Sequence, residues 1–119
     1  MRHSKELIIS FNKIKRGFSY LQTIDIHRII MGDGCSDYCI NLILTDYPFY
    51  EGDEILVIKF TGIKDIKIGY LEGLISLLIT IEDISFNQLE GLNYKVKEIE
   101  EEIFSFYCND FTFEVIKNS

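Results

Sequence analysis

Asp25 and His27 stand two residues apart, a spacing that on an extended strand sends both side chains from one face and lets a carboxylate orient an imidazole. Such a pair can form part of a catalytic base, but no Ser or Cys is placed by sequence to act as its nucleophile. A solvated strand face is the simpler reading, and His3, close to the terminus, takes no role. Cys35 and Cys39 have a Cys-x3-Cys spacing that His27 or Cys108 would extend towards a four-ligand zinc site. Structural zinc sites carry two close ligand pairs and this sequence has one, so the thiols read as small core residues, with no metal or cofactor expected. Gly32-Asp33-Gly34 runs into a strand pattern rather than a helix, which removes a phosphate cradle. Asp25, Asp33, Asp37 and Asp46 lack the regular spacing of a calcium loop, and no carboxylate pair is singled out for glycoside chemistry. No catalytic residue is assigned, and the expectation is a non-catalytic protein.

Two other groups point to binding. Glu98, Glu100, Glu101 and Glu102, with Asp110 and Glu114, read either as solvated charge guarding edge strands or as an acidic patch that meets a basic partner. Tyr47, Phe49 and Tyr50 flank Pro48 in a loop, where three aromatics supply anchors for such a contact or fold back onto the core.

The elements that position these residues are mostly strands. Gly73 to Ser85 places Ile75, Leu77, Ile79 and Ile81 on one face of an extended chain, which predicts a strand in the middle of a sheet. Lys5 to Arg16 is the one helical candidate, with Leu7, Phe11, Ile14 and Phe18 on a stripe, Ser4 as N-cap and Gly17 as a left-handed stop; a short strand over Leu7 to Phe11 is the rival. From Leu21 the period is two. Ile24, Ile26 and Ile30 face one way, and Tyr38, Ile40, Leu42 and Leu44 resume the pattern, giving a hairpin with a longer loop. Glu54 to Thr61 follows as a strand, Gly62 punctuates it, and Ile66, Ile68 and Tyr70 continue an alternating one. Asn87 to Gly91 reads as one helical turn, and three strands close the pattern, the last two joined by a hairpin turn at Asn109-Asp110.

About eight strands with one N-terminal helix predict a mainly β domain over residues 1–119, an antiparallel sandwich or a strongly curved sheet. Twenty-one Ile and no Ala favour sheet, although a low-GC genome inflates the first at the expense of the second. The longest strongly apolar run, Leu74 to Ile81, is far short of the ~20 residues a membrane span needs. Leu7 to Phe11 is too short for a signal h-region, and three cysteines fit reduced thiols, so a cytoplasmic location is expected. A net charge of −7 disfavours nucleic acid and anionic membrane, and makes a basic partner the natural expectation.

Gly17-Phe18-Ser19-Tyr20 leading into Ile24-Asp25-Ile26, then Phe60 to Ile68, then Asn93-Tyr94-Lys95-Val96 with Ile103 to Cys108, resemble the strand patterns of small bacterial immunity-type proteins of polymorphic toxin systems and related uncharacterised families. The resemblance spans most of the chain and carries no catalytic signature. It implies a cytosolic inhibitor that binds a cognate toxin domain, often a basic nuclease. The alternative from composition and pattern is a homo-oligomeric structural or housekeeping domain whose exposed strands pair with copies of themselves.

Overall fold

The computed structural model describes residues 3–18, 20–30, 32, 36–46, 53–69, 79–85, 92–98 and 104–117. Among them one helix, α1 (His3–Lys15), precedes seven strands: β1 (Tyr20–Ile30), β2 (Ser36–Thr45), β3 (Glu54–Ile68), β4 (Ile79–Asp83), β5 (Tyr94–Glu98), β6 (Phe104–Cys108) and β7 (Asp110–Lys117). All pairings are antiparallel, in the order β1-β2-β3-β6-β5-β4, with β7 also lying on β3.

β3 is the spine, and it is bent. Its inward residues are Leu56, Ile58 and Phe60, then Ile63, then Ile66 and Ile68, so the face changes parity twice along one strand. A strand alternates strictly, and each change therefore requires one inserted residue. The two residues with positive φ sit where they are needed, Gly62 at 66° and Asp65 at 54°. Opposite this bend, β6 and β7 are separated only by Asn109, and both pair with β3 in one direction, from Ile68↔Phe104 to Glu54↔Lys117. They are two halves of one kinked strand. The expected hairpin turn at Asn109-Asp110 is thus a kink, and the expected break at Gly62 is a bulge inside a continuous strand. The parity change that signals a turn is real, running from Phe104, Phe106 and Cys108 to Phe111, but a one-residue bulge produces it equally well.

The bend folds one sheet into two halves over a shared core. Ile40, Leu42, Leu44, Leu56, Ile58, Phe60 and Phe111 line the first half, and Ile79, Ile81, Tyr94, Val96, Phe104 and Phe106 the second. Edge-to-face rings join them, with Phe60 and Phe106 at 4.9 Å and Tyr94 and Phe111 at 5.0 Å. Each such pair adds about 0.5–1.5 kcal/mol beyond the area it buries. α1 covers the open side by setting Phe11 edge-on to Phe111 at 5.9 Å and Phe113 at 5.4 Å, and it also contacts β4.

Three expectations are corrected. The apolar stripe of α1 runs through Leu7, Ile8, Phe11 and Lys15 rather than Ile14, which is exposed; the Lys15 stem is buried and that burial lowers its pKa. Gly17 is not left-handed, and the helix ends in a tight turn with Phe18 N–H donating to the Lys15 carbonyl at 2.9 Å. The Ile79 to Asp83 strand ends the sheet path instead of occupying its middle, pairing with β5 alone among the described residues. Its Ile79 and Ile81 are nonetheless buried, as the alternation predicts. Residues 71–78 and 87–91, including the expected helical turn, lie outside the described residues.

A Cβ at position 62 would stand 2.7 Å from the Asn109 Cβ, at a φ that L side chains rarely adopt. Gly62→Ala is expected to cost roughly 2–5 kcal/mol, combining backbone strain and overpacking, read as a lower urea midpoint at unchanged m-value. A loss below about 1 kcal/mol would show that the bend tolerates a side chain there.

Candidate partner-binding surfaces

The outer face of the first half-sheet assembles polar rows from neighbouring strands. Register places Asp25, Asn41, Lys59 and Thr112 side by side, and His27, Cys39, Thr61 and Asp110 in the next row. The Asp25–His27 pair exists, with Oδ1 and Nδ1 3.5 Å apart and both side chains about half exposed. Asn41 Nδ2 donates to the other Asp25 oxygen at 3.4 Å. Strand pairing also brings a cysteine beside the histidine, which the sequence order did not reveal. That cysteine is poorly suited to attack. Burial, with Asp37 nearby, pushes the Cys39 thiol up, whereas a nucleophilic thiolate needs its pKa lowered. The depression over His27, Cys39, Asn41 and Thr61 is shallow, about 180 Å³.

Cys108 is fully buried and its thiol is pushed up to about 12 by burial and by Asp110. Cys35 lies outside the described residues. Among those described, no three His, Cys, Asp or Glu side chains group closely enough to hold a metal.

The expected acidic patch is only partly within view. Glu98 ends β5 opposite Ile79 and is 5% exposed, so it belongs to the interior and not to a charged face. Glu100, Glu101 and Glu102, and the aromatics Tyr47, Phe49 and Tyr50, lie outside the described residues. Asp110 and Glu114 are exposed, although one Asp110 oxygen is engaged by the Phe111 N–H at 2.8 Å.

Two surfaces were not singled out by sequence. Where the β1–β2 hairpin outruns the core, Ile30 is 74% exposed, with Ile26 and Tyr38 also open. Between them the Arg28 guanidinium lies 4.8 Å from the Tyr38 ring centroid and donates to its hydroxyl at 2.8 Å. The alternation gives Ile24, Ile26 and Ile30 one common face. It carried no information on where the opposing layer stops. The second surface is lysine-rich and covers the outer face of β3, β6 and β5; its signal was Lys64, Lys67, Lys95 and Lys97 at outward positions of strands whose adjacency was unknown.

No helix among the described residues is long and apolar enough to cross a membrane. Among the described residues, a bent antiparallel sheet packed against one helix, with open depressions on its outer faces, defines a small mainly β protein. The chain belongs to the immunity protein PIM8 family, whose model matches residues 3–114. No curated protein and no solved structure matches it.

Cys108 supplies a pH prediction. Its folded pKa of about 12 lies above the ordinary 9.0, so between those values the unfolded chain releases a proton that the folded chain keeps. The stability this confers is complete below about pH 9 and is lost as pH climbs towards 12, at about 1.4 kcal/mol per pH unit. Urea titrations across that range are expected to show a shallower alkaline loss in Cys108→Ala than in the parent; equal slopes would assign the loss to other groups.

Proposed function

We propose that this chain is an immunity protein that neutralises a cognate toxin domain by stoichiometric binding and performs no chemistry on it. The observation that carries this reading is the family match across almost the whole described fold. Support comes from the Cys39 and Cys108 thiols, whose pKa burial raises, away from a nucleophilic role. The cytosol is the proposed site of action.

The net charge of −7 favours a basic toxin, and Glu100, Glu101 and Glu102 are the proposed acidic contact, with Tyr47, Phe49 and Tyr50 as aromatic anchors. Glu98 is left out because it is buried. A second reading, self-association through β1, has one observation in its favour: the outer edge of β1 pairs with no strand among the described residues, and Ile30 beside it is exposed.

Co-expression with the toxin domain encoded by the neighbouring gene is expected to restore growth and to yield a one-to-one complex by light scattering. Replacing Glu100, Glu101 and Glu102 together by Lys should slow association by about tenfold or more, with the parent losing rate as salt rises. A parent protein that binds no such toxin, or that scatters as a stable dimer unchanged by it, would sink the reading.

A further inference from the structure

The protein is acidic overall, yet four of its lysines share one face. Lys64, Tyr107 and Lys95 form one row across β3, β6 and β5, and Lys67, Ser105 and Lys97 form the next. Each hydroxyl of β6 is therefore flanked by a lysine on either side. Strand spacing puts the two lysines of a row about 10 Å apart and the rows about 7 Å apart, so all four charges lie within roughly one to one and a half Debye lengths at 0.1 M salt. Two carboxylates stand nearby, Asp65 on the β3 bulge and Glu82 opposite Lys95. Among the described residues none of the four lysines is ion-paired to either. Lys95 instead rests 5.4 Å from the Tyr107 ring centroid, at the edge of a 450 Å³ depression that Lys67, Ser105 and the Asp65 carboxylate also line.

We propose that this face binds an extended acidic segment of the partner protein, with carboxylates at alternate positions. The side chains on one face of an extended chain repeat every ~7 Å, the spacing of the two rows, so each row receives one carboxylate between its lysines. The face is too small for a nucleic acid, whose continuing negative charge would run onto an acidic protein body. A short peptide ends where the lysines end. The identity of the partner as a toxin rests on the function proposed above; the chemistry of the face does not.

The test has two arms, both with the full chain. In the first, NMR titration at low salt compares a peptide with glutamate at alternate positions, a peptide of the same composition with its glutamates contiguous, and an oligouridylate. The alternating peptide is expected to bind at least about threefold more tightly than the contiguous one and to shift the amides of Lys95, Ser105 and Tyr107. The double variant Lys67→Glu, Lys95→Glu should weaken it at least about fivefold. Lys67→Gln with Lys97→Gln should weaken it while leaving the urea midpoint unchanged or higher, because unpaired like charges are removed. Tighter binding of the oligouridylate, scattered shifts, or loss of stability together with binding would overturn the proposal. So would a tenfold gain on replacing Glu100, Glu101 and Glu102 by Gln, since the chain's own glutamates would then be the occupant.

In the second arm the same lysine variants are measured against the toxin. A toxin that binds the parent and ignores the variants overturns this inference alone. A toxin that fails to bind the parent overturns the functional reading and leaves the peptide arm to decide the face.

Discussion

The close approach of Gly62 to Asn109 governs how this sheet can fold. Each of two neighbouring strands inserts a residue at the same level, and the amide of Asn109 donates to the Thr61 carbonyl at 2.9 Å across the crease. From the other side Asn93 Nδ2 donates to the Asn109 backbone and side-chain oxygens at 2.9 and 3.0 Å. The Thr61 carbonyl and the Asn109 amide and carbonyl are thus engaged at the crease rather than left as orphans. Without it, Phe60 and Phe106 would lie on a flat sheet with one face in water. With it, they meet edge to face inside a common core.

The same crease separates two outer faces of different chemical character. Before it, the face carries Asp25, His27, Asn41 and Lys59, mixed in sign and partly satisfied by its own hydrogen bonds. Beyond it, the face is dominated by lysine around two hydroxyls. A chain with a mean charge of one sign thereby presents local fields of both signs. Fields of that kind orient a partner before contact and penalise the wrong approach more than they add to final affinity.

Much of the architecture was legible because two-residue periodicity reports facing directly. The β1–β2 hairpin, the inward Ile79 and Ile81, and the alternations in β5, β6 and β7 all follow from it. Adjacency did not follow, because periodicity is silent on which strand lies beside which. The most apolar stretch of the sequence reads as a central strand on facing alone, yet among the described residues Ile79 to Asp83 ends the sheet path, with Ile79 and Ile81 buried in the shared core and α1 against it. The parity slips at Gly62 and Asn109 were visible but ambiguous, since a turn and a bulge both add residues. Glu98 shows the same limit from another side: its outward-looking charge sits at an inward position of β5, in phase with Tyr94 and Val96. Reading the helix stripe through Ile14 favoured an apolar type over the residue one position on, although Lys15 has a long apolar stem that packs as well. The Cys39–His27 neighbourhood, the Arg28–Tyr38 stack and the lysine rows all arise from strand register, which no single segment encodes.

The kinked pair β6–β7 lies along β3 although some forty to sixty residues of chain separate many of the partners. On a ribosome, β3 emerges with one long edge bare and keeps it bare until residues 104–117 have been made. At ~5–20 residues per second that interval lasts several seconds, during which an apolar strand is open to pairing with other nascent chains. The architecture therefore leaves completion of the β3 edge to the last part of the chain to be made, and the exposed interval is the consequence of that order.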